Sequence, residues 1–251
     1  MIIDAHAHCD NTEWLGYIDS PDRIVSLMDL YGIDMAVISS YNDAPDLEGR
    51  VVDYIDQGAK KYPDRLIPFI RVNPAHGEGT LEVIKDAILN RNFKGIKLHP
   101  ANYILSAFGQ ETMEILDLAA EYDVPVLFHC TEDVKSAPLF MGFAAQNAPD
   151  TKMILAHMGG FFLTKDAINV CKQNRNIYLD TSEIPFVDAI REAAEVLGPE
   201  RILFGSDLPT DNPQFEIEKI KAANLGKEAE NLIFWKNIAR LLKLDLEGAD
   251  K

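Results

Sequence analysis

The chain opens Met1-Ile2-Ile3-Asp4-Ala5-His6-Ala7-His8, and the reading of this stretch decides the fold. Three apolar residues lead into an acid and two histidines spaced two apart. In an extended strand, residues two apart share a face. Both imidazoles therefore converge at the strand's C-terminal end, as two ligands of one cation must. Short His-x-His pairs also arise by chance. This pair gains weight downstream, where His99, His129, His157 and Asp207 each follow an apolar, strand-like run.

Working outward, those runs are Met35–Ser39, Leu66–Val72, Lys94–Leu98, Pro125–Phe128, Met153–Ala156, Ile177–Leu179 and Ile202–Phe204. Helical patterns separate them. The first starts at Ser20-Pro21, a cap residue followed by proline at the first helical position. Others are expected at Leu47–Lys61, Leu81–Asn90, Gln110–Tyr122, Ser136–Gln146, Thr164–Gln173 and Phe186–Leu197. Strands alternating with helices imply parallel βαβ units. Eight such alternations in a chain of 251 residues predict an α/β fold of one domain, a closed (β/α)8 TIM barrel. An open doubly wound sheet would need a glycine-rich first turn, and Asp4-Ala-His-Ala-His8 supplies none. Two more helices, Asn212–Ala223 and Lys227–Leu242, are expected to cover the outside and close the bottom. The barrel is assigned to residues 1–246, with a frayed tail at 247–251.

Hydrophobic residues make up 47% and charged residues 25% of the chain, an ordinary globular composition. A formal net charge of −16 repels phosphate backbones and anionic membranes, so neither nucleic acid nor a membrane is an expected partner. No run approaches the roughly 18 apolar residues that span a bilayer. Met1 leads straight into a strand without signal-peptide features. The three cysteines, Cys9, Cys130 and Cys171, form no ligand-like spacing. A cytoplasmic enzyme with a small-molecule substrate is the expectation, and a homodimer is compatible with it. Cys9 and Cys130 each follow a candidate ligand, which turns them to the other strand face as packing residues.

Active-site residues of such barrels lie at the C-terminal ends of the strands. Five of the six histidines fall there: His6, His8, His99, His129 and His157. His76 is read as a solvated loop residue. Strands one, five and eight can offer His6, His8, His129 and Asp207 to one divalent cation. Zinc suits that donor set first, and manganese, iron or nickel also accept it.

These residues carry a family resemblance. Asp4-Ala-His-Ala-His8, Gly95-Ile-Lys-Leu-His-Pro100, Phe128-His-Cys130, Ala156-His-Met-Gly-Gly160 and Phe204-Gly-Ser-Asp-Leu-Pro209 together resemble the amidohydrolase superfamily. The set looks most like its amidohydrolase-related branch, which also contains metal-dependent decarboxylases. Asn237-Ile-Ala-Arg-Leu241 is similar to that branch's C-terminal helix, so the resemblance spans the chain. It implies His6, His8, His129 and Asp207 as ligands of a single metal, and His157 as a catalytic histidine that orients or polarises the reacting group. In binuclear relatives a strand-four lysine is carboxylated and bridges two metals. Here Lys97 is expected to be unmodified, paired with a carboxylate, beside one metal. TatD-type nucleases carry a strand-four glutamate that Lys97 does not supply.

The expected chemistry is hydrolysis of a small, anionic substrate by a metal-activated water. Asp207 would move the proton. The main alternative is decarboxylation of an aromatic or unsaturated acid at the same metal, and a non-catalytic metal-binding barrel is a third reading. Arg71, Lys97 and His99 are the candidate substrate-binding residues, the two cations for a carboxylate. Asp180 is expected to hydrogen-bond a ligand histidine.

Overall fold

The computed structural model describes residues 1–14 and 16–246. The tail expected to fray at 247–251 lies outside the described residues. Eight parallel strands form one sheet in sequential order. They are β1 (Ile3–His8), β2 (Met35–Ser39), β3 (Leu66–Arg71), β4 (Gly95–Leu98), β5 (Val126–Phe128), β6 (Met153–Leu155), β7 (Ile177–Asp180) and β8 (Ile202–Leu203). Between them lie α1 (Pro21–Tyr31), α2 (Arg50–Lys61), α3 (Glu78–Arg91), α4 (Gln110–Glu121), α5 (Pro138–Asn147), α6 (Thr164–Gln173) and α7 (Val187–Leu197). The chain is a (β/α)8 barrel, as the alternation predicts.

Local chemistry sets the boundaries. Ser20 accepts a hydrogen bond from the Arg23 amide and Pro21 opens α1, while Gly32 closes it at φ 71°. Helix α2 begins at Arg50 rather than Leu47. Gly49 turns left-handed there, and the Asp46 carboxylate takes the Arg50 amide at 3.0 Å. Between β1 and α1 lies a small hairpin, Glu13–Trp14 against Tyr17–Ile18. Helix α8 (Pro213–Ala222) matches its expected span closely. The last expected helix is interrupted by a π-turn at Leu232–Lys236. That distortion presents the Ile233 carbonyl to the Phe204 amide at 2.9 Å. Asn237 then donates to the carbonyls of Pro199 and Ile202, both at 2.8 Å, and pins the final helix beneath β8.

Backbone hydrogen bonds close the barrel between β1 and β8. Ala5 donates to Phe204 at 2.9 Å, Asp207 to His6 at 2.8 Å and His8 to Leu208 at 2.7 Å. Asp4, wholly buried, laces the same seam. Its carboxyl group takes the amides of His6 and Ser206, each at 3.0 Å, and the Ser206 hydroxyl. Burial raises its pKa from 3.8 to about 7. As pH rises from about 4 to about 7 the unfolded chain ionises this group before the folded one does, so its contribution to stability falls, and it is level above about 7. Asp4→Asn is expected to flatten that part of the stability–pH curve. It should also cost about 1–3 kcal/mol, because an amide nitrogen cannot accept from Ser206. Urea denaturation at pH 4 to 8 measures both effects.

Candidate metal centre and active site

Strand ends bring the candidate residues to one mouth. His6 and His8 leave β1 with their rings 5.2 Å apart, edge to face. The Nε2 atoms of both lie 3.1 Å from the same Asp207 oxygen. His6, His8 and Asp207 form a group whose ligand atoms all lie within 4.8 Å of one another. Asp180, at the end of β7, accepts from His6 Nδ1 at 2.8 Å. That bond places the His6 proton on Nδ1 and turns the Nε2 lone pair into the cluster, the usual arrangement for a metal-binding imidazole. Gly205 makes it sterically feasible: a Cβ there would sit 2.2 Å from an Asp180 carboxylate oxygen.

The donor chemistry fits a cation. His6 Nε2 and Asp207 Oδ1 present lone pairs to each other, an arrangement that is repulsive unless positive charge lies beside them. In this structure the charge comes from Lys97, whose Nζ donates to His6 Nε2 at 2.7 Å. Lys97 therefore meets a histidine where a carboxylate partner was expected. Register explains it, because Lys97 pairs with Arg71 across β3 and β4 and points into the barrel. Burial lowers its pKa from 10.5 to about 8.

His129 lines the same cavity but stands apart from the three. Its ring stacks on His99 at 3.8 Å, and its Nε2 lies 3.3 Å from the Asp133 carboxylate and 3.2 Å from the Thr131 hydroxyl. His157 follows β6, and its ring centroid is 5.1 Å from that of His6. Its Nδ1 meets the Ser182 hydroxyl at 3.0 Å and the Glu183 carboxylate at 3.3 Å. His76 is solvent-exposed, and Cys9 and Cys130 are buried packing residues, as expected. Arg71 is buried, with its Nε on Asp43 at 2.7 Å.

Four residues of the cavity escaped the sequence reading: Tyr41, Asn102, Glu183 and Thr210. Tyr41 stacks on His8 with ring centroids 4.5 Å apart. Glu183 hydrogen-bonds Asp207, and burial lifts its pKa to about 8 while that of Asp207 rises to about 7. The only available signal was an acid three residues beyond a strand end, which 40 acidic residues drown out. His157, Glu183 and Asp207 all hold left-handed backbones, with φ of 60°, 60° and 54°. Such conformations cost of order 1–3 kcal/mol each and gather at functional sites.

The barrel and its histidine–carboxylate mouth define a metal-site TIM-barrel enzyme. A sequence model of the family described as Amidohydrolase matches residues 3–244, and the chain belongs to that family. No curated protein matches it in sequence. Among solved structures it resembles 2,6-dihydroxybenzoate decarboxylase from Rhizobium, with 17% identity over 97% of this chain and 99% of that one and a TM-score of 0.77. It is also similar to a dihydroxybenzoic acid decarboxylase from Polaromonas with bound manganese and 2-nitroresorcinol (18% identity, 97% of each chain, TM-score 0.77). A third similar structure is the 5-carboxyvanillate decarboxylase of Novosphingobium aromaticivorans with manganese (18% identity, 88% of this chain and 80% of that one, TM-score 0.72). No helix among the described residues is long and apolar enough to cross a membrane.

His6, His8 and Asp207 could hold a divalent ion, oriented by Asp180. Dialysed protein reloaded with manganese or zinc is expected to retain about one ion per chain, and His6→Ala/His8→Ala none. Asp180→Asn should weaken retention by about 10- to 100-fold, the range seen when the partner of a ligand histidine is lost. Elemental analysis and competitive chelation give these values.

Proposed function

We propose that this enzyme decarboxylates a small aromatic or conjugated carboxylic acid with the help of one divalent metal. His6, His8 and Asp207 would hold the ion, with His129 as a fourth ligand after its ring turns from Asp133. The observation that carries the reading is the whole-length likeness to decarboxylases of hydroxybenzoates, joined to a cluster of metal-type donors at the C-terminal ends of the barrel strands. This support favours decarboxylation over the hydrolysis expected first. Two of those structures contain manganese, so manganese ranks with zinc as the ion to load.

When bound, the ion supplies positive charge that polarises a substrate oxygen. The protein does the rest. The cavity is small, about 180 Å3, a volume for a compact ligand. Tyr41 forms one wall by stacking on His8. Asp207 and Glu183 share a hydrogen bond and so hold a proton at the cavity, available to the substrate. Net, the carbon–carboxylate bond breaks, CO2 leaves, the ring carbon keeps the electron pair, and it takes that proton. His157, held by Ser182 and Glu183, orients the reacting group.

The test is product identity. Metal-loaded enzyme given a panel of hydroxybenzoates and conjugated acids is expected to release CO2, seen in a coupled assay. Release of hydrolysis products from ester, amide or lactone panels without CO2 would restore the hydrolase reading. Silence on both panels would favour a non-catalytic barrel. His157→Asn should keep its metal and lose about 10²-fold or more in turnover. Metal loss in that variant would make His157 a ligand and reopen the two-metal arrangement with a carboxylated Lys97.

A further inference from the structure

The turn that follows β7 carries the groups that hold two residues of the site. Ser182 sets its hydroxyl 3.0 Å from His157 Nδ1. Glu183 hydrogen-bonds Asp207 and lies 3.3 Å from the same His157 nitrogen. Yet the backbone does little to hold this turn. Glu183 is left-handed at φ 60°, a conformation that costs of order 1–3 kcal/mol. The Thr181 amide still reaches the Leu203 carbonyl, and the Ser182 amide goes to the Asp180 carboxylate at 2.7 Å. Among the described residues, no backbone–backbone hydrogen bond involves residues 182–185. A side chain has to keep the strained turn in one conformation.

That side chain is Lys219, on α8. It lines the groove between the turn and α8, beside Ile184 and the outer side of Glu183, rather than the active-site cavity. Its Nζ donates to the carbonyls of Thr181 at 3.1 Å and Ile184 at 2.5 Å, the residues that flank Ser182 and Glu183. Glu216, one helical turn earlier, accepts from the same Nζ at 2.7 Å. An ammonium has three hydrogens to donate, and all three are engaged. Glu216 is only 2% exposed. A buried carboxylate needs a partner, so the pair holds the ammonium in place, and hydrogen bonds from a charged donor are stronger than those from a neutral one.

We infer that Lys219, oriented by Glu216, is a positioning residue: it clamps the carbonyls on either side of Ser182 and Glu183 and so fixes both against His157 and Asp207. Without the ammonium the turn is free to leave its left-handed conformation. His157 then loses its hydroxyl partner and Asp207 its acid partner, while His6 and His8 stay on β1. The inference rests on the decarboxylase reading for the reaction that is timed, and the clamp itself stands on these contacts.

Lys219→Met keeps the length of the side chain and removes its charge. Burial has already pushed Glu216 up to about 9, and loss of the lysine raises it further, so the acid left behind is neutral at pH 7. Manganese-loaded Lys219→Met is expected to retain its ion and keep KM within about 2-fold. Its kcat for CO2 release should fall about 10-fold or more, because a small displacement caused far from the chemistry can cost about 10²-fold. In the metal-free protein, the Ser182 amide should exchange with solvent about 10-fold faster while the amides of β7 are unchanged. A general loss of stability would instead speed exchange along β7 as well. An unchanged kcat would overturn the inference, as would a loss confined to KM or exchange that rises equally along β7. Should Lys219→Met fail to fold, Glu216→Gln/Lys219→Met leaves no buried charge behind and is read in the same way. If the unaltered enzyme releases no CO2, the decarboxylase reading falls and exchange alone decides the clamp. Faster exchange confined to the turn then supports it, and unchanged exchange overturns it.

Discussion

The imidazole of His6 is the point on which both the barrel and its chemistry turn. The His6 backbone carbonyl accepts the Asp207 amide and so helps to close β1 on β8, while the ring serves the site. Its Nδ1 is fixed by Asp180, and its Nε2 is turned towards Asp207 and Lys97. The backbone seam that completes the sheet thus also sets the spacing between two metal-type donors. Asp4 reinforces that seam from below through Ser206. A shift of one residue in pairing at this seam would carry the side chains to the opposite face, so fold and site stand or fall together.

Burial gives these groups their character. Desolvation holds the histidines of the mouth below their usual pKa, so their nitrogens are free to bind a cation at neutral pH. The same desolvation lifts Asp207 and Glu183 towards neutrality and lowers Lys97. Acids and bases with displaced pKa values in one small cavity are the pattern of a catalytic site. The left-handed backbones of His157, Glu183 and Asp207 persist because the surrounding sheet and helices over-determine them.

Charge is unevenly distributed between the body and the mouth. The chain as a whole is strongly acidic, yet the wall formed by β3 and β4 carries Arg71 and Lys97 side by side in register. A cation at the opposite wall would make the cavity a basin for anions within an acidic surface. That local charge is opposite in sign to the net charge of the chain, so net charge alone is a poor guide to the site.

The barrel was legible from the chain alone because strand and helix periodicities are local, and eight repeats of them admit few architectures. The strand-end histidines and Asp207 were legible for the same reason, since a residue's place on its strand fixes its end of the barrel. What the sequence could not determine was direction beyond the strands. Glu183 reaches Asp207 only because its backbone turns left-handed, a choice made by packing. Lys97 meets His6 instead of a carboxylate because register across four strands brings them together. His129 is drawn towards Asp133 and His99 rather than the other donors by side-chain rotation. Arg71 is tied to Asp43 by the loop after β2. Each is a contact between residues distant in sequence or a rotamer chosen in the packed state, and only the tertiary structure decides those.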